Sequence, residues 1–206
     1  MKKLLIILSI ILPLVSHAQG GKYTSLNVYG GYTFTDRVNL DASYTDIKGG
    51  LQWGGGLEYY MHWDQSIELS YTTMSTQFPL YGLGGAQVNV GNEGGSVSYA
   101  KIGTNRYFGH DPNAKKIPYT GISIGAGFLS GEHGSETKFS WDARFGVKFK
   151  TNSKINFKLQ AYVQSIISAF SADFWLPNVI TYAYPGTAQV FQFGLGGVLG
   201  FDLGKK

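Results

Sequence analysis

Residues 138–149 run Lys-Phe-Ser-Trp-Asp-Ala-Arg-Phe-Gly-Val-Lys-Phe. Every second position is apolar: Phe139, Trp141, Ala143, Phe145, Val147 and Phe149. The positions between are polar or small: Lys138, Ser140, Asp142, Arg144, Gly146 and Lys148. Successive side chains on a strand point to opposite faces of the sheet, so this segment has one aromatic face and one charged face. It is long for a globular strand and about right for one that crosses a bilayer at a tilt.

The pattern recurs along the chain and predicts about eight strands. The first spans 23–35, with Leu26, Val28, Tyr32 and Phe34 on one face. The second, 51–62, sets Leu51, Trp53, Leu57, Tyr59 and Met61 against Gln52, Glu58, Tyr60 and His62. The third, 65–77, sets Ile67, Leu69 and Tyr71 against Glu68, Ser70 and Thr72. In the fourth, near 96–108, the apolar parity shifts between Tyr99 and Ile102, which points to a bulge there or to a misread of the strand. The fifth is 117–130, the sixth 138–149, the seventh 155–169 and the eighth 189–203, the last carrying Phe191, Phe193, Leu195, Leu199 and Phe201 on one face. Connections at 63–65, 109–116 and 151–154 are short, whereas 36–50, 78–95 and 171–188 are long; 131–135 is a turn. Short turns on one side and long loops on the other are expected of a membrane barrel, and an even strand number puts both termini on the short-turn side.

Residues 1–18 are expected to be a secretory signal peptide. Lys2 and Lys3 give a basic start, Leu4 to Val15 an apolar run, and Ser16-His17-Ala18 small residues before a cut. Residues 19–206 then form one domain. The 206 residues include no cysteine, so no disulfide framework holds the fold. Twenty-nine glycines and 15% aromatic residues fit crowded or bent strands. The net charge of +4 is scattered and shows no nucleic-acid signature. After the leader no apolar stretch suits a membrane helix. The nearest, 166–180, is interrupted by Ser168, Ser171 and Asp173 and broken by Pro177. A spanning chain must therefore use strands, and strands span only as a closed barrel. The expected fold is all-β, an eight-stranded antiparallel up-and-down transmembrane β-barrel.

The leader, the alternating strands, Gly-aromatic segments such as Val28-Tyr29-Gly30-Gly31-Tyr32, and the glycine-rich last strand resemble the small OmpA/OmpX-like outer-membrane β-barrel family. The resemblance covers the whole mature chain and implies the outer membrane of a Gram-negative bacterium. It also implies contact with outer-membrane lipids and lipopolysaccharide, and handling by the barrel assembly machinery. Many such barrels end on an aromatic residue read by that machinery; here the matching residue would be Phe201, five residues from the end.

Alternation alone leaves open which face points outward. A secreted lipocalin-like barrel would put the apolar face inside. The number of aromatic residues is too large for so narrow a lumen, and the opposite face is rich in Ser, Thr, Gln and Gly. The polar face is therefore expected inside, and Phe139, Trp141, Phe145, Phe149, Phe191, Phe193 and Phe201 against lipid. Glu58 and Glu68 then face each other across the turn at Trp63, and Arg144 and Lys158 are read as a matching pair across the turn at 151–154. These pairs lie across the lumen from each other, which predicts an ion cluster of Glu58, Glu68, Arg144 and Lys158 with Asp142 nearby. It would serve as a gate, or simply fill the polar interior of a small barrel.

Some eight-stranded barrels modify lipid A. Gly125-Ala126-Gly127-Phe128-Leu129-Ser130 looks like the lipid A 3-O-deacylase (PagL-like) barrels, whose site needs a histidine two residues from a serine, plus an acid. The matching stretch, Ala161-Tyr162-Val163-Gln164-Ser165, has the serine without the histidine. A substitute set, His133, Ser135 and Glu136, lies in a polar turn. No enzyme activity is expected, because the base is missing from the matching stretch, and no cofactor or metal, because no spacing in the chain supplies three or four converging ligands. Trp53, Trp63, Tyr107, Tyr119 and Trp141 are read as interface aromatics. The stretch 174–186, with Phe174, Trp175, Leu176, Tyr182 and Tyr184, is apolar for a loop and reads as a candidate partner surface; 78–95 is similar.

Overall fold

The alternating segments pair with their sequence neighbours into a closed sheet, as the computed structural model shows. It describes residues 23–40, 43–82, 84–87, 94–109, 114–132, 134–151, 153–167 and 189–203. Eight strands form the barrel: β1 (Tyr23–Thr33), β4 (Gly50–His62), β5 (Gln65–Gln77), β7 (Gly94–Tyr107), β8 (Lys116–Gly131), β9 (Ser135–Lys150), β10 (Ile155–Ile166) and β11 (Val190–Leu203). Every pairing is antiparallel, and β11 closes onto β1 from Thr24↔Leu203 to Thr33↔Gly194. A closed sheet has no unpaired edge, so each strand's backbone groups are satisfied by its neighbours.

Parity decides the two faces. The outward positions are apolar: Leu51, Trp53, Leu69, Ile122, Phe145 and Phe193 are exposed, Phe145 at 68% and Phe193 at 63%. Phe139 and Phe191 are exposed on the same face, and Trp141, Phe149 and Phe201 are half-buried there. Trp141 meets Phe191 edge-on with ring centroids 5.9 Å apart. The lipocalin-like alternative, with its apolar face inside, is thereby overturned.

β7 corrects the expected bulge. Its register runs unbroken from Gly94 to Arg106 with β5 and from Gly95 to Tyr107 with β8. Val97, Tyr99, Lys101, Asn105 and Tyr107 all point inward; the apolar parity shifts because the upper lumen itself is apolar. The irregularity lies instead in β4, between Tyr60 and His62, where the register with β5 slips and leaves His62 exposed.

Two of the long connections carry structure. β2 (Asp36–Leu40), β3 (Ser43–Ile47) and β6 (Leu80–Gly82) make a three-stranded antiparallel sheet at the long-loop end. Its inner residues Val38, Ile47 and Leu80 join Met74, Phe78, Val97, Tyr99, Leu129, Ile166 and Val190 in one buried cluster. The apolar residues Phe78 and Leu80 thus fold over the barrel mouth. Thr45 Oγ1 donates to the Pro79 carbonyl at 3.0 Å, and the Phe191 N–H donates to Asp36 at 2.8 Å, tying this lid down. On its outer face Arg37 lies 4.3 Å from the Tyr44 ring, which stacks on Tyr81.

Inward glycines make room for flat side chains. A Cβ on Gly194 would meet the Tyr162 ring, and one on Gly54 would strike the Tyr71 carbonyl. Gly30, on the outer face, has nothing within 4 Å of such a Cβ. Gly54→Ala is therefore expected to lower barrel stability by roughly 1–3 kcal/mol, the range of overpacking, and Gly30→Ala to leave it unchanged. Urea titration of the refolded protein checks the contrast.

In the lid, Asp46 accepts a hydrogen bond from Arg37 at 2.9 Å and an ion pair from Lys48 at 3.3 Å. The Arg37 hydrogen bond, foremost, holds the Asp46 carboxyl below its ordinary range. A carboxyl whose folded value is lowered stabilises the fold above its unfolded value, about 3.9 for aspartate. That contribution is lost as pH falls through the folded value. Hydrogen-exchange protection of β2 and β3 should therefore drop in acid relative to β8 and β9. Asp46→Asn should remove that pH dependence.

Candidate functional site

Glu58 on β4 and Glu68 on β5 are directly opposite each other in the register, and both point into the lumen. Two adjacent buried carboxylates repel, and burial favours their neutral form, so they need cations and hydrogen-bond donors around them. Glu58 Oε2 receives Lys158 Nζ at 2.5 Å, the Tyr60 hydroxyl at 2.9 Å and Asn27 at 3.1 Å. Its Oε1 receives the Ser66 and Tyr107 hydroxyls at 2.5 Å and Asn105 at 2.9 Å. Glu68 Oε2 receives Arg144 Nη2 at 2.8 Å and Asn105 at 3.1 Å. Its Oε1 receives Asn27 at 2.8 Å and the Tyr29 hydroxyl. Asn27 and Asn105 each donate to both carboxylates and hold them at a fixed separation.

The cations come from the opposite wall. Arg144 and Lys158 are not opposite each other, as read from the turn: β9 and β10 pair Arg144 with Tyr162 and Lys158 with Lys148. The two cations consequently stand at different heights, and each reaches one glutamate. Arg144 also donates to Asn105 at 3.1 Å and Ser123 at 3.0 Å. Asp142 pairs with Lys101 at 2.7 Å, and its other oxygen stands 3.9 Å from Arg144 Nη1. Among the described residues, the buried charges of the barrel strands are Glu58, Glu68, Asp142 and Asp202 against Lys101, Arg144, Lys148 and Lys158, four of each sign.

The lumen is layered. The ion cluster and a band of Gln52, Ser70, Thr72, Gln160 and Gln164 occupy its middle. The apolar cluster under the lid closes one end. At the short-turn end Tyr60, Tyr107, Ile117 and Tyr119 form a second cluster, with Tyr23 stacked on Tyr60 at 4.3 Å. Tyr107 and Tyr119 are therefore lumen residues and not interface aromatics. Lys148 lies 4.3 Å from the centre of the Tyr60 ring and donates to its hydroxyl at 2.7 Å.

Sequence reasoning missed Asn27, Asn105, Lys101, Lys148 and the tyrosines. Strand parity marks Asn27 and Lys148 as inward, but nothing local marks them as partners of distant carboxylates. Lys101 and Asn105 sat on the strand whose parity was unclear.

Of the catalytic alternative, Ser165 is buried in register between Trp141 and Phe191, and its hydroxyl accepts a hydrogen bond from Gln189 at 3.2 Å. Glu136 pairs with Lys138 at 3.1 Å. His133 and the stretch with Phe174, Trp175, Leu176, Tyr182 and Tyr184 lie outside the described residues, as do residues 1–18. No group of three or more His, Asp or Glu able to hold a metal occurs among the described residues.

Removing one partner of a buried ion pair costs about 3–5 kcal/mol, whereas replacing both by apolar groups is often neutral. Glu68→Leu should destabilise the barrel by that order, and Glu68→Leu with Arg144→Met should recover most of the loss. A double-mutant cycle from denaturant midpoints reads the coupling.

No protein-family model matches the chain, and no curated protein matches it. Solved structures match it in shape. Neisserial surface protein A (NspA) superposes with a TM-score of 0.56 at 11% identity, over 88% of this chain and 97% of that one. The outer membrane protein OprG from Pseudomonas aeruginosa superposes with a TM-score of 0.54 at 13% identity, over 89% and 98%. At these identities the likeness is one of fold. The chain has the closed eight-stranded antiparallel barrel of outer-membrane proteins.

Proposed function

We propose that the chain is an integral outer-membrane barrel of a Gram-negative bacterium, non-enzymatic, with a closed lumen. Its role is structural or one of binding through the lid and long loops. The observation that carries this reading is the apolar outer face of a closed barrel. Water-soluble proteins rarely expose a contiguous apolar patch beyond a few hundred Å², whereas this face runs round the sheet from Leu26 on β1 to Phe193 on β11. β8 and β9, at 16 residues each, exceed the 9–11 residues or so that a tilted strand needs to cross a bilayer.

In this reading residues 1–18 are a signal peptide removed after Ala18, and residues 19–206 are the barrel. Phe139, Trp141, Phe145, Phe149, Phe191, Phe193 and Phe201 contact lipid and the acyl chains of lipopolysaccharide. The assembly machinery inserts the chain. The apolar stretch around Phe174, Trp175, Leu176, Tyr182 and Tyr184 is the candidate surface for a protein partner, since binding residues concentrate on loops held by a rigid scaffold. The cluster of Glu58, Glu68, Asp142, Arg144 and Lys158 fills and neutralises the lumen.

Cell fractionation should find the protein in the outer membrane with heat-modifiable gel mobility; recovery from the soluble periplasm would overturn the reading. In planar bilayers the wild type should show near-zero conductance. Glu68→Gln should leave it near zero, because the apolar and tyrosine layers still close both ends. A rise in conductance from that one change would instead make the ion cluster the gate.

A further inference from the structure

The outer wall of the barrel is uneven over β10. Ala161 sits there between the larger outward residues Leu159 and Val163, with Phe145 of β9 and Leu195 of β11 as its cross-strand neighbours. The large side chains stand above the small one and leave two adjoining hollows of about 490 and 540 Å³, which share Phe145, Ala161 and Leu195. Together they make an apolar groove along β10. Phe193 walls it toward the lid, and Val147 and Leu159 wall it toward the short turns. Phe149 and Phe157 pack below it with ring centroids 6.3 Å apart. From Phe157 to Val163 the strand advances about 20 Å at roughly 3.4 Å per residue. At a tilt near ~45° that is about 14 Å of depth, close to the ~15 Å of one leaflet's hydrocarbon.

The rim below the groove is positive. Lys116 opens β8 directly opposite Phe149, on the outward parity. The Lys150 N–H donates to the Lys115 carbonyl at 2.8 Å, and Lys154 lies in the turn that joins β9 to β10. Lys115, Lys116 and Lys154 are exposed, and none of them makes an ion pair among the described residues. The described carboxylates at this end are engaged elsewhere. Asp202 is buried and accepts Asn156 at 2.7 Å, and Asp64 pairs with Arg106 at 2.9 Å. We propose that groove and rim bind one anionic phospholipid, with an acyl chain over Ala161 and the phosphate at the lysines. Short turns face the periplasm, so the lipid belongs to the inner leaflet. Charge selects this occupant. Lysine stems cover the apolar rim and carry their ammonium groups to headgroup level, where an anionic lipid is attracted. A zwitterionic lipid leaves the lysines' charge unanswered. A second copy inserted in the same direction would set its own lysines against these.

The proposal rests on the membrane reading above and adds the class and place of the lipid. Its test is native mass spectrometry of the full chain, released from nanodiscs of equimolar phosphatidylglycerol and phosphatidylcholine. One phosphatidylglycerol should be retained well above phosphatidylcholine; equal retention of the two, or retention of neither, would overturn the site. Lys116→Gln and Lys154→Gln should each lower phosphatidylglycerol retention about fivefold, the order of one lysine at an anionic surface. Ala161→Phe, which fills the groove from a lipid-facing position, should lower it too. Heat-modifiable mobility verifies that each variant is a folded barrel. Unchanged retention in all three variants would put the lipid elsewhere and overturn the proposal. So would a homodimer that Ala161→Phe abolishes, since the groove would then belong to a second copy. Flotation with pure phosphatidylcholine vesicles tells the two readings apart. A barrel that inserts without selecting phosphatidylglycerol sinks the lipid site alone, whereas a chain that does not insert sinks the membrane reading with it.

Discussion

The juxtaposition of Glu58 and Glu68 across one rung of the sheet is the constraint on which the rest of the interior depends. The rung is fixed by the short turn between β4 and β5, so the two carboxylates cannot separate without breaking the barrel's register. Burial and mutual repulsion both oppose their charges. The polar side chains that touch the two carboxylates answer this problem. Arg144 and Lys158 bring charge, three tyrosine hydroxyls and Ser66 bring donors, and Asn27 and Asn105 bridge the pair. The cations come from β9 and β10 on the far wall, and the network therefore ties opposite sides of the sheet together. Backbone pairing alone joins only neighbours.

Charge balance explains why the lumen can be dry at both ends. Among the described residues, the four buried acids and four buried bases of the barrel strands sum to no net formal charge. With the buried acids matched by bases from the facing strands, the ends of the lumen can be closed with rings and alkyl chains. An eight-stranded barrel is just wide enough for side chains to fill. The glycines serve that filling: Tyr29 lies over Gly56 and Tyr162 over Gly194, positions where any Cβ would force the ring away.

Strand parity made the outer face and the barrel readable from residues such as Phe145 and Phe193, because period two is a local signal. It also placed Glu58 and Glu68 opposite each other, since only a three-residue turn intervenes. The relation of Arg144 to Lys158 was misread because register across a looser connection is not set by parity; the observed pairing of Arg144 with Tyr162 is four residues away, and an even slip preserves both faces. The apolar end of β7 was misread for a different reason. Val97 and Tyr99 face inward, yet an inward apolar residue looks from sequence like an outward one. Only the lid sheet, formed from segments that read as loops, explains what those side chains pack against. Nothing local marks Asn27 and Asn105 as partners of the two carboxylates, because that role depends on contacts 31 to 47 residues away in sequence.

A lumen built in this way separates stability from recognition. Its groups are engaged with one another: Glu58 alone accepts six donors, and a ligand entering from either end would have to displace packed tyrosines or the lid's apolar residues. In the proposed reading, any recognition therefore lies on the exterior and not in the lumen. The lid is the described part of that exterior, and it is itself anchored. Its inner face contributes Val38, Ile47 and Leu80 to the seal, while Asp36 holds β11. The outer face of the lid, with Arg37 over Tyr44 and Tyr44 stacked on Tyr81, is therefore backed by the barrel's own core.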